Sequence, residues 1–91
     1  WNNEKNRQLK VDRGVSFEEV VFCIERGQLL DIVEHPNQER YRGQRIFVVS
    51  IREYAYLVPF VETEGEIFLK TVIPSRKATK NYLKGDRDGD G

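Results

Sequence analysis

Apolar and polar positions along this chain follow two different periods, and the change of period divides it into elements. Phe17, Val20, Val21 and Ile24 recur at helical spacing and are expected to face a core. Ser16 stands before them as an N-cap, with Glu19 three residues later to complete a capping box. Val15 and Val20 take the hydrophobic-staple positions, and Gly27 ends the helix. Upstream, Trp1 to Arg13 reads as an amphipathic helix. Asn2 or Asn3 can cap it, Glu4 suits the positive end of its dipole, and Lys10 and Arg13 suit the other end. Gly14 stands where a C′ glycine is wanted.

Beyond Gly27 the pattern predicts four strands. Leu29 to Glu34 is followed by a polar loop from His35 to Gln44. Arg45 to Arg52 is apolar on both faces, as a central strand covered on both sides should be. Arg52-Glu53 makes a tight hairpin into Tyr54 to Glu62, where Pro59 points to a bulge or an unpaired stretch. The fourth strand, Glu66 to Ile73, would put Ile67, Leu69, Thr71 and Ile73 on one face and Phe68, Lys70 and Val72 on the other. Pro74 stops it, Ser75 caps a last helix, and that helix runs to Leu83 and closes at Gly85. The expected fold is α+β: two N-terminal helices on a four-stranded, mostly antiparallel meander, with a short C-terminal helix. Residues 1–85 form one domain, and 86–91 read as a disordered acidic, glycine-rich tail. Asp86, Asp88 and Asp90 imitate the opening of an EF-hand loop, but the later ligands are missing, so no calcium site is read.

Composition narrows the function. With 91 residues there is room for one core, and a chain this size buries roughly 60–65% of its unfolded surface. Cys23, the single cysteine, excludes an internal disulfide and a multi-cysteine zinc site, and on an apolar helix face it reads as a buried, inert thiol. No metal or other cofactor is expected. No apolar run approaches the roughly 20 residues that span a bilayer, and no signal peptide is visible, so a cytoplasmic protein without a membrane partner is expected. The chain contains no methionine, so Trp1 is not expected to be the initiator.

Charge is balanced overall, 15 Lys and Arg against 15 Asp and Glu, but not locally. From Thr71 to Lys84 there is no acidic residue. Arg76, Lys77 and Lys80 open the last helix, held over the sheet by the strand before them. Cations and the free N–H groups of a helix start both suit a phosphate ligand, whereas the plain reading is a solvated helix.

Two short motifs carry a family resemblance. Trp1-Asn2-Asn3-Glu4-Lys5-Asn6, a helix ending at Gly14, and Val15-Ser16-Phe17-Glu18-Glu19-Val20 resemble the opening of BrnT-type toxins. Ile73-Pro74-Ser75-Arg76-Lys77-Ala78-Thr79 is similar to the segment that follows their last strand. The chain departs from the pattern at Arg13, where the family has histidine. The resemblance implies a RelE-like fold and the toxin of a type II toxin–antitoxin pair, an endoribonuclease that cleaves mRNA. It also implies a DNA-binding antitoxin partner, expected to be of the ribbon-helix-helix type.

Metal-independent RNA cleavage needs a deprotonated 2′-hydroxyl, a stabilised phosphorane and a protonated 5′-oxygen. Arg76 suits the second role through bidentate phosphate binding. Lys77 matches the motif and could share it, Lys80 lies four residues on, and Lys70 sits on the strand feeding this corner. His35, the one histidine, is a candidate acid or base, though a surface-loop histidine is the plainer reading. Arg42 and Arg45, with Arg40, could extend an RNA-backbone track, and Tyr82 could add a phenol or a stacking surface. Tyr54, Tyr56, Phe60 and Phe68 alternate on strands, and core or partner packing explains them better than base stacking. The competing class is a non-catalytic module of the same fold whose sheet binds a partner protein.

Overall fold

A computed structural model describes residues 1–84. The acidic tail and the closing glycine read from the sequence lie outside the described residues. Two helices, α1 (Asn3–Arg13) and α2 (Phe17–Glu25), precede the strands β1 (Leu29–Glu34), β2 (Arg45–Ile51), β3 (Tyr54–Thr63) and β4 (Glu66–Leu69). A two-residue strand β5 (Ile73–Pro74) leads into α3 (Arg76–Ala78), which continues as a π-helical segment, Thr79–Lys84. The strands lie in the order β1-β2-β3-β4, all antiparallel, with β5 also on β3. This is the expected α+β fold.

The start of the chain folds as its caps dictate. Asn2 accepts from the Lys5 N–H, and Gly14 closes α1 at φ 66°. Ser16 Oγ accepts from the Glu19 N–H at 3.1 Å. The Glu19 carboxylate does not complete the capping box; it pairs with Arg52 across the molecule. A longer-range link joins the two helices. Buried Asn6 accepts from the Phe17 N–H at 2.8 Å and donates to Glu18 Oε1 at 2.8 Å. That amide contact holds the Glu18 carboxyl below the usual carboxylate range.

Both faces of β2 are covered, as its pattern requires. On one face Phe47, Val49 and Ile51 join Val58, Phe60 and Leu69 under Phe17, Val20 and Cys23. The Phe47 and Phe60 rings stack with centroids 3.9 Å apart. Burial pushes the Cys23 thiol up, which keeps it protonated and inert. On the other face Val48 and Ala55 pack under Ala78 and Leu83 of the C-terminal segment. Val21, expected in the core, instead lies at its rim and is 37% exposed.

The expected fourth strand is broken. β4 pairs Phe60 with Leu69, whereas β5 pairs Leu57 with Ile73 and Tyr56 with Pro74, a register shifted by one residue. Residues 70–72 hold the extra residue. Pro59 explains the break. The Lys70 N–H donates to the Pro59 carbonyl at 2.8 Å. The N–H and C=O of a strand residue point to the same side, so proline's missing donor faces the Lys70 carbonyl and the ladder stops there. The shift changes the faces: Leu69 and Val72 both enter the helix-covered core, three positions apart. The alternation expected for Thr71, Val72 and Ile73 is therefore inverted. Pro74 does not precede the sheet's end; it is itself paired, and Ser75 follows as the cap.

Candidate functional site

The C-terminal segment is fixed to the start of β3 by hydrogen bonds at Ser75 and Thr79. The Ser75 N–H donates to the Ala55 carbonyl at 3.0 Å, and the Ala55 N–H donates to Thr79 Oγ1 at 2.8 Å. Thr79 Oγ1 in turn donates to the Ser75 carbonyl at 2.8 Å. Ala78 and Thr79 are buried against the sheet, so the residues around them project to the two flanks. Ser75 Oγ already accepts from the Ala78 N–H, and the α-helical turn is three residues long. Side chains, not the helix start expected from the sequence, make the site.

On one flank Arg76, Lys80 and Lys84 line a cleft of about 460 Å³ together with Tyr54 and Thr79. The three cations are exposed, and among the described residues none of them has an ion-pair partner. Among the described residues no carboxylate lines its wall. Three like charges on one wall repel one another, an arrangement that an incoming anion relieves. Chemically the cleft can bind and neutralise a phosphate, with Arg76 able to contact two of its oxygens at once.

The remaining sequence candidates are placed elsewhere. Lys77 and Tyr82 lie on the opposite flank, in a smaller groove of about 180 Å³ beside Val33 and Leu57. There the Tyr82 hydroxyl donates to Asp31 Oδ2 at 2.6 Å. This bond holds the Asp31 carboxyl below its usual range and the Tyr82 phenol above its own. Lys70 stands in the strand break, roughly 13 Å from Ala55 along β3 at about 3.3 Å per residue. His35 and Arg42 belong to the β1–β2 loop. The His35 Nδ1 accepts from the Asn37 N–H at 3.1 Å, and its ring packs on Tyr41. Arg45 pairs with Glu62 at 2.8 Å and lies over the Phe60 ring. Arg45 and Ser50 are five positions apart on β2, and Ser50 pairs with Ala55. His35, Arg42 and Arg45 are thus roughly 17 Å from the cleft, at the other end of the sheet. The structure brings Arg76 and Lys80 together and does not bring His35 to them.

Three residues of the cleft were not among the sequence candidates: Thr79, Lys84 and Tyr54. In the sequence Thr79 reads only as part of the 73–79 motif. The spacing Arg76, Lys80, Lys84 carried Lys84 as an i, i+4, i+8 stripe. Nothing local marked Tyr54, which reaches the cleft because the hairpin and Thr79 place the start of β3 beside the segment.

A second concavity is apolar. Trp1, Val21, Ile24, Phe47, Ile67 and Leu69, with Glu25, surround about 290 Å³ between α2 and β4. Among the described residues no group of three His, Cys, Asp or Glu side chains is placed to hold a metal ion. Among the same residues no helix is long and apolar enough to cross a membrane. Compared with family models, curated proteins and solved structures, the chain finds no match in any of the three.

Proposed function

We propose that the chain is an RNA-cleaving toxin of the type II class, a cytoplasmic endoribonuclease that acts on mRNA without a metal ion. One observation carries this reading: Arg76, Lys80 and Lys84 line a single cleft, and among the described residues no carboxylate lines it. The family resemblance at residues 73–79 falls on the same segment. In this mechanism Arg76 stabilises the charge of the pentacoordinate phosphorane. The leaving 5′-oxygen takes its proton from Lys80 or Lys84, and the 2′-hydroxyl gives its proton to solvent water. His35 takes no part, because it sits at the far end of β2. Lys77, on the other flank, contributes to the local field rather than to the reacting phosphate. A DNA-binding antitoxin of the ribbon-helix-helix type would neutralise the toxin by covering the cationic flank. The test is expression in a bacterial host. Growth arrest is expected from the wild-type chain and not from Arg76→Ala, with rescue by an antitoxin encoded beside it. Unimpaired growth with soluble wild-type protein would sink the proposal.

The alternative, a non-catalytic interaction module, is favoured by the apolar concavity around Trp1 and Val21 and by exposed Phe22 and Phe68. Protein-binding surfaces are built from such patches. It predicts that the wild-type chain cleaves no RNA.

A further inference from the structure

We infer that the cationic cleft takes single-stranded nucleic acid and that Tyr54 is the platform on which an unpaired base stacks. The inference rests on the RNA-binding reading above and adds the residue that meets the base. Among the described residues Tyr54 is the one aromatic residue lining the cleft, beside Arg76, Lys80 and Lys84. It is half-buried, so part of its ring is open to a ligand. Its position is fixed from both sides along the chain. Tyr56 meets it edge-on, with ring centroids 5.8 Å apart and planes at 70°. On the other side is the Arg52-Glu53 turn, both residues of which hold positive φ. Arg52 is itself anchored to the Gly14 carbonyl at 3.0 Å. Next along β3, the Ala55 N–H is bound by Thr79. A ring held this rigidly loses little freedom on binding, which favours its use in recognition.

The cleft's size fits the same conclusion. About 460 Å³ lies within the range of small-molecule sites and exceeds what one phosphate needs. Three cations satisfy backbone phosphates whatever the sequence, and an aromatic face beside them adds a term that depends on the base. In a duplex the bases are stacked inside and cannot reach such a ring; an unpaired base can. A polyanion without bases would use the three cations and leave Tyr54 idle.

The experiment measures binding of the whole chain by fluorescence anisotropy. The ligands are a labelled single-stranded 2′-O-methyl RNA, which cannot be cleaved through its 2′-oxygen, its duplex, and an abasic oligomer of equal length. Tyr54→Leu should weaken single-strand binding about 10-fold or more and leave abasic binding unchanged. Tyr54→Phe and Tyr54→Trp keep an aromatic face and should bind within about twofold of wild type or tighter. Duplex should bind more weakly than single strand. Lys80→Glu should weaken all three ligands. If Lys80→Glu abolishes binding while Tyr54→Leu matches wild type on the single strand, the cleft reads phosphates alone and this inference falls. If Tyr54→Trp loses as much as Tyr54→Leu, the effect is not stacking and the inference falls equally. If the wild type binds none of the three, the parent reading fails as well.

Discussion

The backbone N–H of Ala55 donates to Thr79 Oγ1 at 2.8 Å, joining two residues 24 positions apart and setting the cationic segment against the sheet. Thr79 is 4% exposed and Ala55 is fully buried, so no water can replace the hydroxyl. Thr79→Val keeps the shape and removes the acceptor. Leaving a buried N–H unsatisfied costs about 1–3 kcal/mol. The thermal midpoint should fall by at least about 4 °C, and Thr79→Ser should restore most of it. A Thr79→Val protein that melts like wild type would show that this bond does not anchor the segment.

The hairpin between β2 and β3 turns on Arg52 at φ 51° and Glu53 at φ 65°. Positive φ at both central residues is the requirement of a type I′ turn, usually met by Asn-Gly. Neither residue suits it, and each left-handed L-residue carries strain. Arg52 is compensated by its contacts with Glu19 and the Gly14 carbonyl; Glu53 makes no ion pair among the described residues. Glu53→Gly should therefore raise stability by about 0.5 kcal/mol, the relieved strain being larger than the entropy glycine adds to the unfolded chain. Arg52→Gly should not, because it removes the anchor. Chemical denaturation of both variants checks this, and a destabilised Glu53→Gly would refute it.

Tyr82 and Asp31 give the fold a pH signature. Asp31 is held below its usual range by the Tyr82 hydroxyl first and by the Ile32 N–H second. A carboxyl depressed in the folded state stabilises at pH above its unfolded pKa, and the contribution is lost as pH falls through the folded value. The Tyr82 phenol is raised by the same bond, so its contribution holds below the ordinary phenol pKa and is lost as pH rises through the raised value. In Tyr82→Phe the Asp31 titration should move up toward normal without reaching it, because the Ile32 N–H remains at 2.8 Å. A carboxyl-detected NMR titration reads this directly; an Asp31 midpoint unmoved by Tyr82→Phe would show the bond is not formed in solution.

Local rules made most of the elements legible. Ser16, Gly14 and Ser75 cap where their sequence context says they should, and the double-sided pattern of β2 matches its two covered faces. What escaped is longer in range. Pro59 marked an interruption, but only its pairing partner shows that the break falls at residues 70–72 and reverses the faces beyond it. Glu19 had two possible partners, the Ser16 N–H by local rule and Arg52 by tertiary placement, and the charge won. The site divides the same way. Arg76 and Lys80 were visible as a charge stripe. Tyr54 belongs to it only through contacts 22 or more positions away, and His35 is kept from it by the length of β2.

The central claim is that Arg76 stabilises charge at a phosphate being cleaved in this cleft. The most direct measurement is the rate at which purified, folded wild-type and Arg76→Ala proteins cleave one mRNA, with circular dichroism confirming each fold. Wild type should cleave at an unchanged rate in chelator. Arg76→Ala should lose about 10²–10³ in rate, the usual cost of removing one positioned donor to developing charge. Arg76→Lys should recover part of it, since the charge returns without the bidentate fork. Equal rates for wild type and Arg76→Ala, or no cleavage by either, would contradict the account.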